Sequence, residues 1–371
     1  MKKGLVVLAV LALACGGGAA PTGAGEVTGT TAAAGELTPV SLQLQWVTQS
    51  QFAGYFAAVD QGFYEQEGLA VTIKEGGVDI VPQQVVAAGE AEFGLAWVPK
   101  ALVSNQEGAG LVNVGQVFQR SGTLEVSWAD TGIDSPEDWE GKIVGTWGFG
   151  NEFELTAAIE KFEVDVGEIV QQPFDMSLLL NREVDAAQAM TYNEYAQVLE
   201  AVNPDTGELY QPEDLNVVDF NDPAIGTAML QDAVWARRDW IEDPANQDVA
   251  LGFLRASFRG WIFCRDNFEA CVEIVLANGP TLGASHQTWQ LNEINKLIWP
   301  SPLGIGVMDP ALWAQTVEVA TSENVIDEAP PEDTYRTDLA EQAVSDLEGE
   351  GLDVRGESYQ PTQVELTEGG E

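Results

Sequence analysis

The chain has 371 residues, of which 45% are hydrophobic, and its formal net charge is −43 at pH 7. This apolar content is enough for two compact lobes rather than a single core. Nucleic acid is not expected as a partner because its phosphates repel so acidic a surface, and the acidity is more typical of solvation in a salty habitat than of a specific cationic partner.

The first residues have the pattern of a secretion signal. Two lysines precede an apolar run from Leu5 to Ala14, which is too short to span a bilayer as a helix and stops at Cys15. The sequence LALAC resembles a bacterial lipoprotein box. We expect residues 1–14 to be a signal peptide and Cys15 to carry a lipid that anchors the protein to the membrane, outside the cytoplasm. An ordinary cleaved signal is the alternative, because Ala12 stands where leucine is more usual.

A flexible linker is predicted between this anchor and the folded body. Residues 15–38 are rich in Gly, Ala and Thr and hold almost no large apolar side chain. Such a composition cannot bury enough surface to fold. We therefore expect it to tether the body to the membrane.

The body alternates strand and helix patterns, which is typical of an α/β protein. The predicted strands lie at residues 41–46, 69–73, 91–96, 112–119, 123–129, 142–146, 169–173, 186–190, 215–219 and 228–236. The predicted helices lie at residues 52–67, 81–88, 99–108, 152–162, 175–181 and 193–200, and residues 239–320 are mostly helical. A capped helical turn is predicted at 135–139, and no internal repeat is visible.

This layout predicts two lobes joined by two crossover strands. Lobe 1 is expected to take residues 39–127 and 230–330, and lobe 2 to take residues 128–229. Such a double crossover favours hinge motion, because only two segments need to flex. Residues 331–371 form an acidic C-terminal tail, and the Glu, Asp and Gly content after residue 338 predicts disorder.

Histidine is too scarce for most metal or catalytic sites. His286 is the only one in the chain, so a His-rich zinc site is excluded and Ser-His-Asp catalysis would depend on that residue. Its polar neighbours indicate a surface or helix-capping role. We expect no metal and no cofactor.

Cys264 and Cys271 are the cysteines left once Cys15 is lipidated. An oxidising compartment favours a disulfide, but on one unbroken helix their Cα atoms would lie ~10 Å apart. Asp266 with Glu269 reads as a capping box that would start a new helix. A bridge across that corner and two buried thiols both fit the sequence.

Several short segments, in order along the chain, resemble one known family. They are Gln45-Trp46 and residues 51–58, 62–64, 67–71, 89–94, 136–145, 183–186 and 259–261. Together they resemble solute-binding proteins related to the thiamine-pyrimidine synthase of yeast and to sulfonate-binding proteins. The resemblance implies an α/β periplasmic-binding-protein fold of the type II, Venus-flytrap kind, which delivers a small molecule to the permease and ATPase of an ABC importer. We expect a monomer.

Within that family, other segments resemble the riboflavin-binding lipoproteins of flavin importers. They are residues 96–100, 116–122, 147–154 and 190–195. The resemblance implies riboflavin as the ligand, with a thiamine pyrimidine precursor or an alkanesulfonate as alternatives.

The ligand is expected where loops at the carboxyl ends of strands face each other. Aromatic faces there would stack on a planar ring, and amides would pair with its polar edge. The expected binding residues are Trp46, Gln51, Tyr55, Trp97, Gln119, Trp147, Phe149, Asn151, Asp175, Tyr192, Asn193 and Glu194. The turn at 147–151 opens a helix, so its free amides would hold a carbonyl or an anion, or the turn is a simple connection. Only Lys100 and Arg120 lie near these loops, which favours an uncharged ring over a sulfonate.

Two other classes of function compete with a receptor. The yeast relative's enzymatic activity needs an active-site histidine and a cysteine-rich iron motif, whereas the matching region here, residues 50–54, reads SQFAG. An adhesive or structural lipoprotein would have no tight small-molecule ligand. Trp261, Trp289, Trp299 and Trp313 lie in helical stretches and are expected to serve packing.

Overall fold

The structure is a computed structural model that describes residues 36–370. The predicted signal peptide, Cys15 and nearly all of the predicted linker lie outside the described residues. Within residues 36–370, no helix is both long enough and apolar enough to cross a membrane.

Strands and helices alternate through the described chain, which confirms the α/β class. The strands are β1 (Thr38–Gln43), β2 (Leu69–Lys74), β3 (Phe93–Ala96), β4 (Leu111–Gln116), β5 (Thr123–Trp128), β6 (Ile143–Thr146), β7 (Glu168–Gln171), β8 (Ala186–Met190), β9 (Leu215–Asp219) and β10 (Ala233–Arg237). The helices are α1 (Ala53–Asp60), α2 (Phe63–Gln66), α3 (Pro82–Ala87), α4 (Val98–Gln106), α5 (Phe153–Lys161), α6 (Ser177–Leu180), α7 (Glu194–Leu199), α8 (Arg238–Ile241), α9 (Pro244–Asp266), α10 (Phe268–Asn278), α11 (Ala284–Ile298), α12 (Pro310–Ser322) and α13 (Asp338–Gly349). Short 3₁₀ helices lie at Ser50–Phe52, Ala129–Thr131, Pro136–Trp139, Pro212–Asp214 and Glu332–Thr334.

The strands form two five-stranded sheets with the same pattern of connections. The first has the order β2-β1-β3-β10-β4 and the second the order β7-β6-β8-β5-β9. In each sheet the first three strands run parallel, and one strand next to them is antiparallel. Every residue of β3, β4, β5 and β8 is buried, as expected of strands covered on both faces.

The chain crosses from the first sheet to the second between Gln116 and Thr123, and it returns between Asp219 and Ala233. Residues up to 127 were predicted to lie in lobe 1, but β5 pairs with β8 and β9 and so lies in the second sheet. The two connecting segments run side by side, because Ser121 N donates to Asn221 Oδ1 (3.0 Å) and Asn221 Nδ2 donates to Ser121 O (2.7 Å).

Most element predictions are confirmed to within a few residues, and β8 and β9 match at both ends. The predicted cap at 135–139 is present, since Ser135 and Asp138 form a capping box. The first strand was misplaced: it runs from Thr38 to Gln43, not from 41 to 46. The predicted helix 52–67 is broken at Gly62, whose φ is 67°.

Helices α1 and α9 approach each other so closely that only glycine fits between them. A Cβ on Gly260 would lie 2.0 Å from the carbonyl oxygen of Gly54, and a Cβ on Gly54 would lie 2.2 Å from the Trp261 ring. The segment at 259–261 therefore serves helix packing, which fixes α1 behind the loops that follow β1.

Cys264 and Cys271 form a disulfide, with Cα atoms 5.0 Å apart. The predicted helix break makes this possible, because α9 ends at Asp266 and α10 begins at Phe268. The predicted capping box was wrong: Asn267 precedes α10 without a side-chain cap, and the Asp266 carboxylate pairs with Arg265 instead.

The prediction of disorder after residue 338 was wrong. Residues 338–349 form α13, which packs against α9. Its buried residues are Leu339, Ala340, Ala343, Val344 and Leu347. They recur every three or four positions, and the acidic residues between them obscured this apolar stripe.

Candidate ligand-binding site

A cavity of about 500 Å³ lies where the loops of the two sheets meet. Its lining comes from the segments that follow the carboxyl ends of β1, β2 and β3 in the first sheet, and β6, β7 and β8 in the second. The volume falls within the range of pockets that hold drug-sized ligands. The predicted location of the site, at the carboxyl ends of parallel strands, therefore coincides with a real cavity.

Nine of the expected binding residues line this cavity. They are Trp46, Gln51, Trp97, Trp147, Phe149, Asn151, Tyr192, Asn193 and Glu194. The structure places them together, and their role as ligand contacts stays a prediction.

Tyr55, Gln119 and Asp175 do not line the cavity. Tyr55 is buried in the core, with its ring edge-on to Trp261 at 5.7 Å between centroids. Gln119 Nε2 donates to the Gln116 carbonyl (2.6 Å). The exposed Asp175 accepts from the Ser177 amide (2.8 Å), so it starts a local turn.

Several other residues that line the cavity were not among those expected from the sequence. They are Gln45, Gln49, Gly77, Val78, Ile80, Val81, Pro82, Gln83, Val103, Gly150, Phe153, Phe174 and Met190. Residues 77–83 follow β2 and Phe174 follows β7. Both segments follow parallel strands, so the rule that ligands bind at the carboxyl ends of such strands points to them as well.

Aromatic rings from both lobes meet at one wall of the cavity. The rings of Trp46 and Phe174 lie 4.9 Å apart between centroids, and those of Trp147 and Phe174 are stacked at 6.4 Å. Trp46 follows β1 of the first sheet, whereas the other two follow strands of the second. The wall offers apolar faces suited to a flat ring.

Lys100 is the one cationic side chain among the described residues that line the cavity. Its Nζ lies 5.0 Å from the centre of the Trp97 ring and donates to Asn151 Oδ1 (2.7 Å). Burial lowers the pKa of Lys100 to about 8. Arg120, expected nearby, lies elsewhere, because its guanidinium donates to the carbonyls of residues 296, 297 and 300.

Three amides of the turn at 147–151, which the sequence predicted to be free, are paired within the chain. The amide of Gly148 is 3.4 Å from Thr146 Oγ1, that of Gly150 donates to Glu152 Oε2 (2.8 Å), and that of Asn151 donates to the Gly148 carbonyl (3.1 Å). These donors are already used within the chain. The turn instead supplies the cavity with the side chains of Trp147 and Asn151.

Asp232 joins three of the residues that line the cavity. Its Oδ1 accepts from Gln45 Nε2 (2.6 Å) and Trp97 Nε1 (2.9 Å), and its Oδ2 accepts from Gln51 Nε2 (3.0 Å). Burial raises the pKa of Asp232 to about 6, although these hydrogen bonds and the charge of Lys100 oppose the shift. Asp232 was not among the residues expected from the sequence, because its only local signal is a polar side chain just before a buried strand.

His286 is buried, which overturns its predicted surface role. Its Nε2 lies 2.9 Å from Asn193 Oδ1, and its Nδ1 lies 3.0 Å from Glu200 Oε2. Asn193 Nδ2 donates to Glu194 Oε1 (2.9 Å), and Glu194 Oε2 accepts from the Met190 amide (2.9 Å). Burial raises the pKa of Glu194. These contacts hold the loop after β8 in place, so its polar side chains are largely satisfied by the protein.

No group of three or more His, Cys, Asp and Glu side chains in residues 36–370 is arranged to hold a metal ion. The predicted packing tryptophans Trp261, Trp289, Trp299 and Trp313 lie outside the cavity lining.

Two curated proteins are similar to this chain over most of its length. It is 25% identical over 298 residues to the riboflavin-binding protein RibY of Chloroflexus aurantiacus, covering 76% of this chain and 80% of that protein. It is 22% identical over 246 residues to a formylaminopyrimidine-binding protein of Halalkalibacterium halodurans, covering 65% of this chain and 71% of that protein.

The fold is that of two-lobed periplasmic binding proteins. The aliphatic sulphonate binding protein SsuA of Escherichia coli superposes with a TM-score of 0.61 at 16% identity, over 88% of this chain and 94% of that chain. The predicted fold is thereby confirmed. The sequence pattern of the NMT1/THI5-like family matches residues 49–270, more than half of the chain, and the protein therefore belongs to the NMT1/THI5-like family.

Proposed function

We propose that this protein is the extracytoplasmic solute-binding lipoprotein of an ABC importer, and that it captures riboflavin or a closely related planar heterocycle for delivery to the permease. The observation that carries the proposal is the cavity of about 500 Å³ between the two sheets, walled by Trp46, Trp147 and Phe174. The similarity to RibY and to the formylaminopyrimidine-binding protein supports the receptor class.

The size and lining of the cavity favour a multi-ring ligand. Trp97 and Tyr192 add two further aromatic side chains to the lining, from the first and second lobes. A planar ring between such faces gains dispersion and offset stacking. The volume suits a three-ring flavin better than a single pyrimidine, although a pyrimidine precursor of thiamine remains the alternative.

The charge of the cavity argues against an alkanesulfonate. Sulfonate recognition favours arginine forks, whereas Lys100 is the only cation among the described residues of the lining. Lys100 already donates to Asn151 and lies over the Trp97 ring. A neutral ligand with polar edges suits this balance better than an anion.

A binding role is favoured over a catalytic one. The lining contributed by residues 36–370 contains no histidine and no cysteine. His286 lies behind the cavity, where Asn193 and Glu200 occupy both of its ring nitrogens. This part of the lining therefore lacks the histidine that the chemistry of the yeast relative requires, which supports a binding role.

The test is a titration of riboflavin with the purified mature protein. Stacking on tryptophan should quench flavin fluorescence with one ligand per chain. The variant Trp97→Phe should weaken the quenching, whereas Trp313→Phe, which changes a tryptophan outside the cavity, should leave it unchanged. Absence of binding by riboflavin, flavin mononucleotide and a hydroxymethylpyrimidine alike would overturn the proposal.

A further inference from the structure

Asp232 is the final acceptor of a series of hydrogen bonds behind the cavity, in which each glutamine donates toward it. Its carboxylate is buried, with 3% of the residue exposed, and it accepts from the Nε2 atoms of Gln45 and Gln51. An ionised carboxylate can only accept hydrogen bonds. Each glutamine must therefore turn its NH₂ group toward Asp232 and its carbonyl oxygen away from it.

The chain continues from Gln51 to Gln49. The Oε1 of Gln51, which faces away from Asp232, accepts from Gln49 Nε2 at 2.7 Å. Gln49 is therefore also held with its NH₂ group toward Gln51, so that its Oε1 is the atom left over. Among residues 36–370, no hydrogen-bond donor reaches the Oε1 of Gln45 or of Gln49, and both residues line the cavity.

Hydrogen-bond donors also line the cavity. Lys100 Nζ has three hydrogens, of which one is used on Asn151. The hydroxyl of Tyr192 makes no hydrogen bond to any side chain or backbone group in the described part of the protein. The lining thus combines two acceptors that have no donor with donor groups, and Lys100 lies on the same lobe as Gln45 and Gln49.

We infer that Asp232 is a positioning residue which orients Gln45, Gln51 and Gln49 so that their carbonyl oxygens select a ligand with a cyclic imide edge, a ring N–H between two carbonyls. The N–H donates to a glutamine oxygen, and the flanking carbonyls, which lie on the same edge of the ring, accept from donors of the lining such as Lys100 Nζ. This inference rests on the proposed function and narrows it. Riboflavin carries such an edge, whereas an aminopyrimidine lacks the two carbonyls and an alkanesulfonate lacks the N–H.

If the imide N–H is recognised, the protein should bind riboflavin more tightly than a riboflavin whose imide nitrogen carries a methyl group. 3-Methylriboflavin keeps the three rings, the ribityl chain and both carbonyls, and it loses only the imide N–H. Binding it leaves the glutamine acceptors without a donor, so the wild type should prefer riboflavin by at least about tenfold.

The experiment compares both flavins on the wild type and on Asp232→Asn. An asparagine can present its NH₂ group to Gln51, which allows the glutamine amides to turn over. In Asp232→Asn we expect the affinities for riboflavin and 3-methylriboflavin to differ by no more than about threefold, mainly because riboflavin binds more weakly. Gln49→Met, which removes the terminal acceptor and leaves Asp232 intact, should narrow the difference in the same way.

Asp309→Asn is the matched control. Asp309 caps α12 away from the cavity by accepting from the Ala311 amide, and asparagine caps helices as well as aspartate does. It should keep the wild-type preference. A melting curve of each variant establishes that it is folded.

The outcomes separate this inference from the proposed function. Equal binding of both flavins by the wild type, or an undiminished preference in Asp232→Asn, would overturn the role of Asp232 while riboflavin binding stands. A purely structural role for Asp232 would weaken both flavins equally and leave their ratio unchanged, which also overturns it. If neither flavin binds the wild type, the proposed ligand itself is wrong and the inference falls with it.

Discussion

Lys100 and Asn151 connect the two lobes directly across the cavity, with Lys100 Nζ donating to Asn151 Oδ1 at 2.7 Å. Lys100 belongs to α4, which packs with the first sheet, and Asn151 follows β6 of the second. The Asn151 side chain is oriented by its own bond to the Gly148 carbonyl, and its backbone carbonyl accepts from Gln188. The hydrogen bond between Lys100 and Asn151 therefore holds the two lobes together and also fixes the positions of two side chains that line the cavity.

Removing this contact should favour separation of the lobes. Lys100→Met keeps the length of the side chain but loses the donor, and a hydrogen bond from a charged group contributes about 1.5–3 kcal/mol. We expect a larger radius of gyration for the ligand-free protein in small-angle X-ray scattering, and weaker riboflavin binding. Lys74→Met is the matched control, because this half-buried lysine lies outside the cavity lining and its Nζ also makes one hydrogen bond, to the Glu90 carbonyl (2.6 Å). Unchanged scattering and affinity would contradict the role of the contact.

Aromatic side chains from each lobe should contribute separately to ligand binding. A ligand stabilises the contact between lobes only if it touches both of them. Trp97→Ala and Tyr192→Ala should each weaken riboflavin binding by about 1–3 kcal/mol through lost stacking and buried area. Isothermal titration calorimetry measures this loss. If both variants bind as the wild type does, the ligand lies elsewhere.

Ligand affinity should be highest between about pH 6 and pH 8. Burial raises the pKa of Asp232 to about 6, so below that pH its carboxyl gains a proton and no longer only accepts from its three partners. Burial lowers the pKa of Lys100 to about 8, so above that pH it loses its charge beside Trp97 and Asn151.

The affinity should therefore fall on the acidic side through Asp232 and on the alkaline side through Lys100. Equilibrium titrations across pH 5–9 give the profile, with the free ligand measured at each pH. Asp232→Asn should flatten the acidic limb alone, and Lys100→Met the alkaline limb alone. An affinity that does not change across this range would contradict both assignments.

Glu125 should weaken the fold at neutral pH. It lies in the second sheet with 1% of its surface exposed, and within the described residues neither carboxylate oxygen has a hydrogen-bond partner. Burial raises its pKa well above the ordinary value. The folded protein thus holds this proton more tightly than the unfolded chain does, and the free energy of unfolding falls as the pH rises above the ordinary pKa of glutamate.

Glu125→Gln removes that charge at nearly constant volume. We expect it to raise the free energy of unfolding by about 1–3 kcal/mol at pH 8, with a smaller gain near pH 5. Urea unfolding at both pH values measures the difference. Glu341→Gln, at an exposed position of α13, should change it little at either pH. A gain that is equal at pH 5 and pH 8 would argue against the burial of a charge as its cause.

Local patterns along the chain predicted the elements well, because each depends on neighbours a few residues away. The alternation in 215–219 and the apolar run in 186–190 specify β9 and β8 without any help from the rest of the fold. The turn at 135–139 followed from its capping residues in the same way. The cavity aromatics could be named from the predicted strands, because Trp46 ends one of them and Trp97 and Trp147 each directly follow one.

Local composition gave wrong predictions where polar residues concealed an apolar or buried position. The acidic residues of α13 suggested disorder, but its apolar stripe packs on α9, where Arg255 pairs with Glu67 and Asp346. The polar surroundings of His286 suggested a surface position for the same reason. In both cases the partner that decides burial lies far away along the chain.

The amino-acid sequence by itself thus determined the α/β class, the order of the elements and the family, because these depend on short-range periodicity and on motifs. Only the tertiary structure decided which polar groups meet: Asp232 lies 187 residues from Gln45, 181 from Gln51 and 135 from Trp97. Buried polar side chains need partners with suitable geometry. That geometry arises from the packing of both sheets, and no local pattern carries it.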